Sequence, residues 1–231
     1  MTLSRAVPLP PLLIVLLIVG FAVVAYFGYQ AERKRRETLF AWAVARGWRL
    51  EVEAVRGLHE EYPGLKIFQK GHSRKAKHVI HGTVDGRPVR CLDYRYTTGS
   101  GKNRSTHHFS VVILECGFPT VPMLIRPENP FDKVGEFLGA DDIDFESAAF
   151  SRRFYVKAND RKWAYDVIHT RTMDFLMSVP KATIEFGMGE IAVYRTGRSR
   201  TAGYEQALAT AAGLYELIPD FVVRQMKGEG R

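Results

Sequence analysis

An unbroken apolar run from Leu12 to Tyr29 constrains this chain more than any other stretch, because no charged side chain occurs between Arg5 and Glu32. As a helix rising about 1.5 Å per residue, the run spans roughly 27 Å, close to the hydrocarbon thickness of a bilayer. Pro8, Pro10 and Pro11 stand just ahead of it, where a helix start tolerates proline, and Tyr26 and Tyr29 mark its far interface. A buried core helix would not need the basic cluster Arg33, Lys34, Arg35 and Arg36 that follows at once. A cleaved secretory signal could use Val23-Val24-Ala25 as its cleavage site, but its basic residues should precede the apolar run and not follow it. The charge layout therefore predicts a single-pass protein of the plasma membrane, N-terminus outside and everything from Ala31 onward in the cytoplasm. Residues 1–30 are expected to form the anchor, 31–47 a juxtamembrane helix and 48–231 a single domain.

The rest of the chain is of single-domain length, and with 46% hydrophobic and 25% charged residues it should fold. Its net charge of +8 is carried almost wholly by residues from Glu32 onward. Such a charge suits nucleic acid or an anionic membrane leaflet, and the anchor favours the leaflet. Aromatic residues sit in apolar alternation and are not interleaved with arginines as stacking platforms, which speaks against nucleic acid. Cys91 and Cys116 have neither metal-like spacing nor the count of a disulfide scaffold, and both read as core thiols.

Leu39, Trp42, Ala43 and Arg46 recur at helical spacing up to Gly47, predicting a stalk that continues the apolar helix. Trp48, Leu50 and Val52 then alternate as a half-buried strand, and residues 57–77 carry a weaker signal that reads as an exposed loop, with a turn at Pro63-Gly64, a short strand at Leu65 and Ile67 and a mostly basic run from Lys70 to Lys77. The clearest strand signal follows, with His78–Val84 and Pro88–Thr97 joined at Asp85-Gly86 and His108–Cys116 returning after a turn-rich basic loop. Val111 to Leu114 form an apolar run suited to a central strand. A fourth strand is expected at Val121–Arg126, a short helix from Asn129 or Pro130 to Leu138, a strand from Phe154 to Ala158, and helices from Asp160 to His169 and Arg171 to Met177. Ile184–Phe186 and Ile191–Tyr194 form a second hairpin, and Tyr204, Leu208, Ala211, Tyr215 and Ile218 trace a closing helix that Pro219 ends. The class predicted is α+β, an antiparallel sheet with helices on one face.

No metalloprotease, phosphate-loop, dinucleotide, nucleophile-elbow or Cys-x-x-Cys pattern occurs, so no cofactor is expected. His72, His78, His81, His107 and His108 crowd one third of the chain, but on strands His78 and His81 face opposite sides, as do His107 and His108, which disfavours a metal site. Asp93 shares a strand face with Cys91 and Arg95 and is expected in a cross-strand ion pair. The acidic run Asp141, Asp142, Asp144 and Glu146 lacks the ligand spacing and glycine of a calcium hand.

The segments from Gly82 to Leu114 (GTVDGRPVRCLDYRYTTGSGKNRSTHHFSVVIL) and from Asp142 to Ile168 (DIDFESAAFSRRFYVKANDRKWAYDVI) resemble a bacterial family of membrane-anchored proteins with no assigned function. The resemblance implies a membrane segment followed by a globular domain, and it brings no catalytic residues.

Anchor, charge and the absence of a reactive constellation together predict a non-enzymatic, membrane-tethered domain that binds a protein partner or the membrane surface. Its candidate contact residues are Arg74, Lys75, Lys77, Lys102, Arg104, Arg198 and Arg200. The rival is an enzyme, hydrolase-like or metal-dependent, with a site assembled from Asp93, His81 and His108, and it requires those side chains to meet in one pocket.

Overall fold

A computed structural model describes residues 11–128, 141–143 and 145–229. Its sheet grows from the Asp85-Gly86 turn, where both residues have left-handed backbone, φ 50° and 75°, as a two-residue hairpin with matching twist requires. The turn joins β2 (His72–Val84) to β3 (Arg87–Thr98), preceded by β1 (Arg49–Glu51) and followed by β4 (Ser105–Glu115). Further along lie β5 (Met123–Pro127), β6 (Asp141–Asp142), β7 (Phe154–Ala158), β8 (Thr183–Phe186) and β9 (Glu190–Thr196). They make one nine-stranded sheet of order β1-β2-β3-β4-β9-β8-β5-β7-β6, antiparallel throughout. Val111 to Leu114 are buried on both faces of β4, as their apolar run predicts.

The helices are α1 (Pro11–Val44), α2 (Leu58–Glu61), α3 (Lys66–Gln69), α4 (Ala148–Arg153), α5 (Arg161–Val167), α6 (Thr170–Ser178), α7 (Thr201–Glu216) and α8 (Asp220–Lys227). One sheet face, with Val89, Cys91, Val112, Leu114 and Val193, packs on the end of α1 and on α5 to α8, completing the α+β layering. The other face, with Leu92, Tyr94, Ile113 and Tyr194, is covered by Leu58, Tyr62, Leu65, Ile67 and Phe68. Residues 57–77 are therefore not an exposed loop. Their first half is a lid of two short helices and their second half opens β2. The buried Glu185 carboxylate fastens the lid by accepting from the Ile67 amide at 3.1 Å and the Tyr194 hydroxyl at 2.6 Å, and burial pushes its pKa up. A further difference is α8, which begins directly after Pro219, because Val222, Val223 and Met226 repeat at helical spacing and pack onto the first core.

Helix α1 is long and apolar enough to cross a membrane, and none of its most apolar window is buried in the protein. Its last three turns behave differently: Leu39 and Ala43 are fully buried and Trp42 nearly so. The end of α1 thus packs on the domain through Leu39, Trp42 and Ala43 instead of standing apart as a stalk. Trp42 donates to Glu205 on α7 at 2.9 Å, stacks on Tyr204 and meets Trp48 edge-on. Trp48 in turn lies over Gly82, where any Cβ would collide with the indole. The helix expected from residue 129 to 138, and Asp144 of the acidic run, lie outside the described residues.

This packing predicts that the domain needs the end of α1 to fold. A fragment of residues 31–231 should unfold cooperatively in urea, whereas 48–231 should show no cooperative transition. Within the longer fragment, Trp42→Ala should cost about 3–5 kcal/mol. Identical urea midpoints for the two fragments would contradict the packing described.

Candidate functional site

Arg35 lies one helical turn before Leu39 and two before Trp42, so the three side chains share the α1 face that meets the sheet. Opposite them, Asp93 sits on β3 on the same face as Val89 and Cys91. A β-bulge completes the arrangement: between Lys77 and Ile80 two β2 residues, His78 and Val79, oppose the single Leu92, and His78 takes a left-handed φ of 51°. Such an extra residue re-aims its side chain, here onto Asp93.

The Asp93 carboxylate is saturated. Oδ2 accepts from Arg35 Nη1 at 2.6 Å and from His78 Nδ1 at 2.9 Å, while Oδ1 accepts from Arg35 Nη2 and from the Tyr204 hydroxyl, both at 2.8 Å. Burial pushes this carboxyl up, yet the His78 and Arg35 bonds, the Arg35 charge and the Tyr204 bond outweigh it and hold the pKa below the ordinary aspartate range. The expected ion pair of Asp93 exists, but its arginine comes from α1, 58 positions earlier, and not from a neighbouring strand. Arg35 Nη2 also donates to the Ser199 carbonyl at 2.9 Å, and the Ser199 amide donates to Ser110 Oγ, so the loop before α7 is tied to the same point. Arg198 of that loop pairs with Glu32 of α1 at 2.8 Å.

Beside Asp93, the sheet presents a row of basic residues. Lys75 on β2 pairs in register with Arg95 on β3, which pairs with His108 on β4, and Lys77 and Arg198 flank them. Like charges directly opposite on a sheet are destabilising. His108 shows the effect, its pKa lowered by burial and then by Arg198 and Arg95. The cleft that these residues form around Glu32 holds about 20 Å³, room for one water and not for an organic substrate.

Of the residues singled out from sequence, Lys75, Lys77 and Arg198 gather here, and Lys102 and Arg104 are exposed at the adjoining β3–β4 hairpin. Arg74 is turned away and part-buried, donating to the Gln69 and Lys70 carbonyls. Arg200 stands at the start of α7 on a different groove. Asp93 and His108 share the cleft, whereas His81 lies away from it, 3.3 Å from Glu51, so the three do not converge. Among the described residues no three metal-ligating side chains come together. Arg35, Glu32 and Tyr204 were not foreseen at the site. Arg35 could have been found from its spacing to Leu39 and Trp42, which places it on the buried stripe and not among the solvated flanking charges.

Asp93→Asn should destabilise the protein by about 3 kcal/mol at neutral pH, since it leaves the Arg35 charge part-buried without its counter-ion. Because the folded pKa of Asp93 is depressed, its contribution is whole above the unfolded aspartate value of about 3.9 and disappears as pH falls through the folded value. In urea unfolding the gap between the two proteins should therefore be constant at neutral pH and narrow as pH falls below about 3.9. A gap that stays constant into acid would contradict the assignment.

No protein-family model matches the chain, and no curated protein sequence does. The fold itself has a solved counterpart. The crystal structure of the mycobacterial trehalose monomycolate transport factor A, TtfA, superposes with a TM-score of 0.59 at 15% sequence identity, covering 80% of this chain and 94% of that one. The chain is similar in fold to that transport factor.

Proposed function

We propose that this chain is a single-pass membrane protein whose domain is a non-enzymatic interaction module, held rigidly by its own membrane helix with a basic face against the adjoining leaflet. The observation that carries this reading is the continuity of α1. The same helix that presents the apolar run buries Leu39, Trp42 and Ala43 in the domain and locks to β3 through Arg35 and Asp93. Glu32, three residues and about 4.5 Å beyond Tyr29, borders the cleft of Lys75, Lys77 and Arg198, which supports a position for this face near the lipid headgroups. Lys75 and Arg95, opposite each other on neighbouring strands with Lys77 and Arg198 beside them, are costly unless an anionic counterpart meets them, and an anionic leaflet supplies one. The cluster Arg33 to Arg36 after the run favours the cytoplasmic side for the domain.

The saturated Asp93 and the one-water cleft favour binding over catalysis, as does a fold shared with a transport factor. A protein partner is the second occupant that the basic face could serve.

A fragment of residues 31–231, which retains the packed end of α1, should float with vesicles containing anionic phospholipid and detach as salt rises. Lys75→Gln with Lys77→Gln should weaken this binding by about thirtyfold, at roughly 1 kcal/mol for each cation near the surface. Flotation indifferent to lipid charge would overturn the surface contact.

A further inference from the structure

A second feature of the same membrane-facing end is a groove between α1 and the start of α7, with a volume of about 500 Å³, on the scale of a small-molecule site. Its lining includes Lys34, Arg35, Thr38 and Leu39 from α1 and Arg200 and Thr201 from the other side. The three cations differ in state. Arg35 is neutralised by Asp93, whereas neither Lys34 nor Arg200 has a carboxylate partner among the described residues, although the neighbouring Arg33 and Arg198 pair with Glu37 and Glu32. Two exposed, uncompensated positive charges thus face each other across a groove whose inner wall carries the buried, apolar Leu39.

Height along α1 selects the ligand. Lys34 is five residues, about 7.5 Å, beyond Tyr29, and the polar headgroup layer extends roughly 5–8 Å beyond the hydrocarbon on each side of a bilayer. The Lys34 ammonium therefore reaches the level of lipid phosphates, and Ala31, which lines the groove on the bilayer side of Lys34, is the small side chain that a glycerol backbone would meet.

We propose that this groove binds the phosphate headgroup of one anionic glycerophospholipid from the leaflet on the domain's side, clamped between Lys34 and Arg200. The proposal rests on the membrane reading above and adds to it a defined lipid site, distinct from the diffuse basic face around Lys75 and Lys77.

The test uses the full chain reconstituted in nanodiscs and then released into detergent for native mass spectrometry, with phosphatidylglycerol as probe, phosphatidylcholine as the neutral lipid and inorganic phosphate as competitor. The expected result is one phosphatidylglycerol retained per chain in preference to phosphatidylcholine, and resistant to millimolar phosphate. Lys34→Gln with Arg200→Gln should weaken retention about thirtyfold, while Lys75→Gln with Lys77→Gln should leave it unchanged. Retention that survives the Lys34 and Arg200 changes would overturn the site, as would displacement of the lipid by free phosphate. A chain that never enters nanodiscs would instead overturn the membrane reading on which the site rests.

Discussion

The bidentate contact between Arg35 and Asp93 is the constraint on which the arrangement of helix and domain depends. Removing two charges from water costs several kcal/mol per ion, and only good geometry with every lone pair occupied repays it. Asp93 meets that condition with four bonds from three side chains, on α1, β2 and α7. Such a pair contributes orientation more than stability. It fixes the rotation of α1 about its axis and its height against β3, while the apolar contacts of Leu39, Trp42 and Ala43 supply the burial. Because α1 is one unbroken helix, the geometry fixed at Arg35 carries through to the apolar run.

The placement of charge follows from this lock. With α1 seated at Asp93, Glu32 comes to Arg198 and borders the row of Lys75, Arg95 and His108, while the next helical face leaves Lys34 opposite Arg200. The first group tolerates like-charge pairing across the sheet and the second leaves two cations uncompensated. Both patterns are local costs in the isolated protein that an anionic surface would relieve. At the far end of the same strands the surface changes sign, with Glu61, Glu115 and Glu190 around Met188. On the proposed anionic bilayer, such a charge distribution would favour one orientation of the domain.

Features set by neighbours in the chain were legible from the sequence. The Asp85-Gly86 hairpin, the central run Val111 to Leu114, the Ile184–Tyr194 hairpin and the closing helix all appear where periodicity and turn chemistry place them. What escaped was set by contacts distant in sequence. The helical stripe of Leu39 and Trp42 was visible, but its partner surface on α7 lies some 160 positions away, so the stripe read as a stalk. The bulge at His78 breaks strict alternation, and no turn residue announces it. Leu58 to Phe68 carry weak periodicity because they form short helices held by one buried carboxylate, Glu185. The basic residues were recognisable as a group, yet their division into a row beside Asp93, a turned-away Arg74 and a groove at Arg200 needed the sheet register.

The central claim is that α1 holds the Lys75–Arg95–His108 face at the bilayer. Its most direct test places a fluorophore at either of two positions in the full chain in nanodiscs, through Lys77→Cys or Met188→Cys, and measures quenching by lipids that carry a quencher on the headgroup. Native Cys91 and Cys116 are buried, with the Cys116 thiol pushed up to about 12, so labelling goes to the introduced thiol. Met188 lies beyond Glu190, which pairs with Glu115, seven residues and roughly 24 Å along β4 from His108. The account predicts strong quenching at position 77 and little at 188. Equal quenching at both positions would show that the domain has no fixed face toward the membrane.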